Sequence, residues 1–178
     1  MLYYTVFRTQ WGYFGLAGCD DAVWTASLPE ADREAAQARL LSGLPRHPEE
    51  ARFERGLFRP LQQQITGYFA GENVDFSTDP AVCLDGIRPF GRKVLRACRR
   101  IAAGQTTTYG TLAARVGSPA AARAVCSVLA ANPIPLIIPC HRVLRSDGGL
   151  GGFSAPGGTA TKQRLLQHER ATRDSRFA

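Results

Sequence analysis

The pair in this chain best suited to nucleophilic chemistry is Cys140 followed at once by His141. A thiol attacks only as its thiolate, a free thiol titrates at about 8.5, and a nearby imidazole or helix N-terminus lowers that value. The same pair also suits a small core hydrophobe beside a satisfied histidine. Adjacent side chains usually diverge, so a bond between them needs a tight turn or a bridging water. The approach to the pair is Asn132-Pro133-Ile134-Pro135-Leu136-Ile137-Ile138-Pro139. Its prolines exclude a helix, and its apolar stretch 136–138 should be buried. Cys140 is therefore expected at the end of a rigid, buried segment.

The elements before that segment must position it. Pro89–Ile101 carries Phe90, Val94, Leu95, Ala97, Cys98 and Ile101 on one side and Arg92, Arg96, Arg99 and Arg100 on the other, a helix with a basic face. Thr108 can cap a short helix with apolar positions at 109, 112, 113 and 116. Gly117 turns the chain, Ser118 is expected as the next cap, and Pro119 as the first residue of a helix running to about 131. Two short helices across a glycine turn predict a helix-turn-helix. On a wheel, Val125 centres the buried face of the second helix, and Ala120, Arg123, Ser127 and Ala130 form the opposite one. One long side chain among small ones carries almost no base code, so that face suits close, sequence-poor approach to a narrow groove. An Ala-rich helix packed on both sides would read the same way.

Charge separates these readings. Residues 1–84 hold 7 Arg and no Lys against 11 acidic residues, a net of −4, whereas residues 85–178 hold 15 Lys and Arg against 4, a net of +11. The basic half is suited to a polyanion. At 178 residues, 44% hydrophobic and 21% charged, the composition is that of an ordinary globular protein, which excludes collagen-like, coiled-coil and disordered classes. No apolar run is long enough for a membrane span, and Met1–Val6 has no secretory pattern. Five scattered cysteines (19, 83, 98, 126 and 140) make a poor disulfide framework and suit a reducing cytosol. In the first half, Leu2–Phe7 and Tyr13–Ala17 read as a hairpin about Trp11-Gly12, and 22–28 as a third strand. Pro29 is expected to open a helix through Leu41, 44–50 to be a loop, and 57–69 a second helix. The segment 74–86 is the candidate boundary between an N-terminal α/β domain, 1–84, and a mainly helical domain, 85–178. The fold class expected is α/β.

The residues from about Phe90 to Glu169 resemble the O6-alkylguanine-DNA alkyltransferases, the methylated-DNA–protein-cysteine methyltransferase family. The likeness is carried by Thr106-Thr107-Thr108-Tyr109-Gly110, Ala121-Ala122-Arg123-Ala124-Val125, Asn132-Pro133, Ile138-Pro139-Cys140-His141-Arg142-Val143, Gly151-Gly152-Phe153 and Leu165-Leu166-Gln167-His168-Glu169. It implies a ribonuclease-H-like N-terminal domain and a winged-helix-like helix-turn-helix after it. The reaction implied is irreversible transfer of an alkyl group from a flipped O6-alkylguanine, with O4-methylthymine beside it, in double-stranded DNA. Cys140 matches the acceptor, His141 the base that takes its proton through a water, Glu169 the carboxylate behind the histidine, and Asn132 the hinge. Tyr109 matches the residue that rotates the nucleotide and bonds guanine N3. The Val143 N–H and the carbonyls of Cys140 and Gly149 would complete the guanine contacts, with Phe153 as an aromatic wall and the Ser154 N–H near O6. Arg123 would fill the gap in the base stack. Gly91, Gly110, Ser118, Ala122 and Ser146 match DNA-contacting positions, the N–H groups of Gly110 and Ser118 holding phosphates. The resemblance implies no cofactor, a monomer and a cytoplasmic, nucleoid-associated protein.

Several positions depart from the family's commonest pattern. Phe153 stands where many members have Tyr, Cys126 where Gly is usual, and Gly91 where Gln or Thr is frequent. The loop 155–160 is longer than in vertebrate members. Cys19, Cys83 and His47 do not match the zinc spacing of some members, so no metal is expected. Two other functions compete: a non-catalytic sensor of alkylated DNA, in which the acceptor cysteine is replaced, and a cysteine hydrolase using Cys140 and His141.

Overall fold

The computed structural model describes residues 1–19, 21–44 and 48–175. Pro45, Arg46 and His47, which include part of the expected loop and one residue weighed as a zinc ligand, lie outside them. The chain divides into two compact units, one of residues 1–74, 78–83 and 133–135, the other of 75–77, 84–132 and 136–178.

The first unit is a four-stranded sheet in the order β3-β2-β1-β4, built from β1 (Tyr3–Thr9), β2 (Gly12–Cys19), β3 (Ala22–Glu30) and β4 (Arg52–Phe53). The hairpin register, Phe7 opposite Phe14, follows from a turn in which Thr9 Oγ1 bonds both the Gly12 carbonyl and the Trp11 N–H. Gly12 has φ +126°, and a Cβ there would lie 2.3 Å from the Glu30 carbonyl oxygen. Strand β2 is buried on both faces because helices cover both. Leu40 of α1 (Arg33–Ser42) packs on Gly15, and Phe69 of α2 (Arg59–Phe69) meets the Phe14 ring at 6.1 Å. Helix α1 does not open at Pro29. That residue and Glu30 continue β3, with Glu30 opposite Tyr13, and Asp32 caps the helix by accepting the Ala35 N–H at 2.7 Å. Helix α2 starts two residues later than its apolar stripe, because Phe58 is left-handed (φ 52°) and Pro60 sits in the first turn.

The second unit begins with α3 (Pro89–Arg99), whose Val94, Leu95 and Cys98 are buried while Lys93, Arg96 and Arg100 stay exposed. Arg99 leaves the basic face to donate to the Phe76 carbonyl at 2.7 Å. Thr108 caps α4 (Tyr109–Arg115) through the Thr111 N–H, as its type and place predict. Gly117 turns at φ +79°, but the next helix, α5 (Ala122–Ala130), starts at Ala122 rather than Pro119. Ser118 is not its cap. Its N–H closes the end of α4 on the Ala113 carbonyl at 2.9 Å, so that N–H is not free for a phosphate. Val125 and Leu129 are buried and Ala120, Arg123, Ser127 and Ala130 exposed, the two faces that the wheel separates. A parallel pair, β5 (Thr107–Thr108) with β6 (Val143–Leu144), joins the start of α4 to the segment after Cys140. Helix α6 (Gly158–Asp174) closes the unit. Among the described residues no helix is long and apolar enough to cross a membrane.

Candidate active site

Leu136, Ile137 and Ile138 are fully buried, and Leu136 holds φ +75°, a strained value for a branched side chain that the surrounding packing must maintain. Cys140 then opens a 3-10 turn, Cys140–Arg142, after Pro139. The turn puts Cys140, 7% exposed, and His141, 1% exposed, into the same interior. Asn132, at the end of α5, spans the loop: its Nδ2 donates to the Ile138 carbonyl at 2.8 Å and to Cys140 Sγ at 3.3 Å.

His141 Nε2 lies 2.7 Å from Glu169 Oε1 on α6. Arg142 grips the same carboxylate, Nε reaching both oxygens at 3.1 and 3.0 Å and Nη2 reaching Oε1 at 2.8 Å, while the Gly104 N–H donates to Oε2 at 3.0 Å. Arg142 Nη1 donates to the Ile101 carbonyl. Burial alone would raise the Glu169 carboxyl, but its bonds to His141 and Arg142 prevail and hold it far below the ordinary range. The anion therefore takes the Nε2 proton as its hydrogen bond, which leaves His141 Nδ1 as the basic nitrogen. That Nδ1 is buried and bonds to no described protein atom. Burial also lowers the His141 pKa, against the pull of Glu169, so the imidazole is neutral and able to accept a proton.

The thiol differs from expectation. Burial pushes the Cys140 pKa up, and the Asn132 amide, Lys162 and the N–H groups of the turn offset this only in part. The resting group is a thiol that needs a base, not a preformed thiolate.

Lys162 of α6, 1% exposed, is the second residue that sequence reasoning missed, with Arg142. Its Nζ donates to the Val143 carbonyl at 2.6 Å and to the Tyr109 hydroxyl at 3.4 Å, and it lies 5.7 Å from the Tyr109 ring centre and 6.0 Å from that of Phe153. Lys162 thus gathers Tyr109, Val143 and Phe153 around one ammonium. A signal existed: Lys162, Leu165, Leu166 and Glu169 share one helical face, so two charged residues occupy its inward positions. Burial, then Cys126, pushes the Tyr109 hydroxyl up to about 12, which keeps it protonated as a donor.

Other expected contacts are already engaged. The Val143 N–H closes the turn on the Cys140 carbonyl, and the Gly149 carbonyl accepts the Arg145 N–H at 2.8 Å. Each of these carbonyls keeps a second lone pair for a further donor, whereas the Val143 N–H is the one group whose single hydrogen is already used. Ser154 Oγ donates to the Ala130 carbonyl at 2.7 Å, tying the glycine-rich loop to the end of α5. Arg123, Gly110 and Ser146 are exposed and Ala122 partly so, whereas Gly91 is buried, a Cβ there lying 2.8 Å from the Ile87 side chain. Among the described residues no group of three or more His, Cys, Asp or Glu gathers as a metal site.

Residues 89–171 match the family model for the DNA-binding domain of 6-O-methylguanine DNA methyltransferase. The chain is 43% identical over 109 residues to a methylated-DNA–protein-cysteine methyltransferase of Salmonella typhimurium, a stretch that covers 61% of each protein. It is 40% identical over 117 residues to the Mycobacterium leprae protein of the same name, covering 66% of this chain and 68% of that one. The structure is similar to that of Mycobacterium tuberculosis OGT in complex with DNA, with a TM-score of 0.77 and 30% identity over 96% of this chain and 94% of that one. By sequence and by fold, the chain belongs to the methylated-DNA–protein-cysteine methyltransferase family.

Proposed function

We propose that this protein repairs DNA by direct reversal, moving the alkyl group of O6-alkylguanine in double-stranded DNA onto its own Cys140, once per molecule, as a monomer and without a cofactor. The observation that carries the reading is a buried thiol at the end of a rigid loop, held by Asn132, beside a neutral histidine whose far nitrogen is fixed by a charged carboxylate. His141 Nδ1 takes the thiol proton through a water. The sulfur attacks the alkyl carbon, the carbon–O6 bond breaks, and its electron pair returns to the guanine, which takes up a proton. A neutral thioether remains, and no further step restores the thiol.

The test is mass spectrometry after reaction with duplex DNA containing O6-methylguanine. One added methyl group on the Cys140 peptide is the expected result. Methyl on another cysteine, no transfer, or more than one turnover per protein would refute the proposal, the last two favouring a sensor or a hydrolase.

The exposed Arg123 face supports entry of α5 into a groove, with the Arg123 side chain replacing the flipped base. Flipping costs a few kcal/mol. Arg123→Ala should therefore slow repair of duplex DNA about tenfold or more, yet leave reaction with free O6-benzylguanine, which needs no flipping, nearly unchanged. Equal losses on both substrates would remove Arg123 from this role. Binding should also weaken steeply with salt and differ little between unmodified sequences, because phosphate contacts dominate.

A further inference from the structure

Two donors converge on one carbonyl at the root of the reactive loop. Thr25 Oγ1 donates to the Pro133 carbonyl at 2.9 Å, and the Ala26 N–H donates to the same oxygen at 3.0 Å. Both come from β3, the edge strand of the first unit, to which residues 133–135 belong. Pro133 and Pro135 have no N–H, so this segment cannot pair along β3 as a regular strand. A carbonyl oxygen has two lone pairs. One donor would let the peptide plane swing about its bond, whereas two fix it. The Thr25 side chain is buried, 3% exposed, and α1 ends so close to it that a Cβ on Gly43 would lie 3.3 Å from the hydroxyl. Asn132 directly precedes the anchored residue. Its N–H bonds the Leu129 carbonyl of α5 at 3.2 Å, and its side chain reaches Cys140 Sγ at 3.3 Å. A residue before proline has a restricted backbone, so a displacement of Pro133 is passed on to Asn132 rather than absorbed.

We propose that Thr25 is a positioning residue for alkyl transfer: its hydroxyl fixes the Pro133 carbonyl and so holds the Asn132 amide on Cys140. The proposal rests on the reading of Cys140 as the acceptor. Thr25 touches no reacting atom and acts only through Asn132.

The experiment measures single-turnover methyl transfer from O6-methylguanine duplex, per folded molecule, by the wild type, Thr25→Val, Thr25→Ala and Thr25→Ser, with gel shifts on the same duplex. Thr25→Val keeps the side chain's shape and removes the donor. Thr25→Val and Thr25→Ala should transfer about three- to tenfold more slowly, because rate falls steeply when a reacting group is misplaced, while binding stays unchanged. Either variant suffices if the other folds poorly. Thr25→Ser, which keeps the hydroxyl, should recover the wild-type rate. A double-mutant cycle with Asn132→Ala is read by iodoacetamide alkylation of the Cys140 peptide, which needs no DNA. Thr25→Val should slow this alkylation alone but add no loss to Asn132→Ala, since the residue it acts through is gone. Three results overturn the proposal: wild-type transfer by Thr25→Val and Thr25→Ala, a Thr25→Ser as slow as Thr25→Val, or losses that multiply across the cycle. Each would leave Thr25 as a packing residue while Cys140 still takes the methyl group. If the wild type transfers no methyl group, the reading of Cys140 fails and the proposal fails with it.

Discussion

Cys140→Ser should abolish alkyl transfer and leave binding to O6-alkylguanine DNA within about twofold of the wild type, since surface contacts that a substitution does not touch are little affected. Displacement at an alkyl carbon favours a soft, polarisable anion. Even the cysteine is not ionised at rest, because burial raises its pKa above the ordinary value. His141 must take the proton as the reaction proceeds, and a buried neutral imidazole can do this for a thiol. A serine hydroxyl is far less acidic and its oxygen a harder nucleophile, so the same histidine does not activate it enough. The substitution exchanges one acceptor of the Asn132 amide, sulfur for oxygen, and takes nothing from Arg123, Tyr109, Lys162 or the basic face of α3. Binding is checked by gel shift on O6-methylguanine duplex and transfer by mass spectrometry. Measurable methyl transfer by Cys140→Ser, or loss of both properties together, would contradict the assignment of Cys140 as the nucleophile alone.

The sequence revealed the reactive loop better than the groups that tune it. Three prolines and an apolar run were sufficient to place Cys140 at the end of a buried, non-helical segment, because proline geometry is local. The two faces of α5 followed from the helical period alone. Helix starts were less legible: Pro29 and Asp32 both carry start signals, and strand pairing of Glu30 with Tyr13 decided between them. The two-residue strands β4, β5 and β6 have no periodicity to read. Arg142 and Lys162 were missed for a different reason. A buried cation is unfavourable until its partner is known, and the partners come from afar: Glu169 lies 27 positions beyond Arg142, and Tyr109 lies 53 before Lys162. The thiol's raised pKa was hidden likewise, since burial depends on the whole unit while the neighbouring histidine is visible at once. Glu169 itself was legible as a relay carboxylate by resemblance, but not as the hub of a buried ion network.

That network changes what loss of Glu169 should do. If the carboxylate only oriented His141, Glu169→Ala would slow transfer mildly. In the structure Glu169 is 3% exposed and also satisfies Arg142, itself 5% exposed, and the Gly104 N–H. Removing it strands a guanidinium in the interior. Breaking a buried ion pair from one side costs about 3–5 kcal/mol, against a total stability of about 5–15 kcal/mol for a typical domain. Glu169→Ala is therefore expected to lower stability by that amount and to be poorly folded at 37 °C, so its activity has to be expressed per folded molecule. Acid titration separates the charge from the packing. The folded-state pKa of Glu169 lies far below its unfolded value of about 4.3, so its contribution is complete above that pH and is lost as pH falls toward the folded value. His141, lowered by burial, has the same sign and begins to cost stability below about 6.5 in both proteins. The stability gap between wild type and Glu169→Gln, measured by urea unfolding, should not shrink between pH 7 and about 5, since Glu169 pulls the His141 pKa up only in the wild type, and should narrow from pH 4 to 3. A gap that stays the same down to pH 3 would mean that Glu169 acts through packing and neutral hydrogen bonds, and that the charge holding Arg142 and His141 in place contributes nothing.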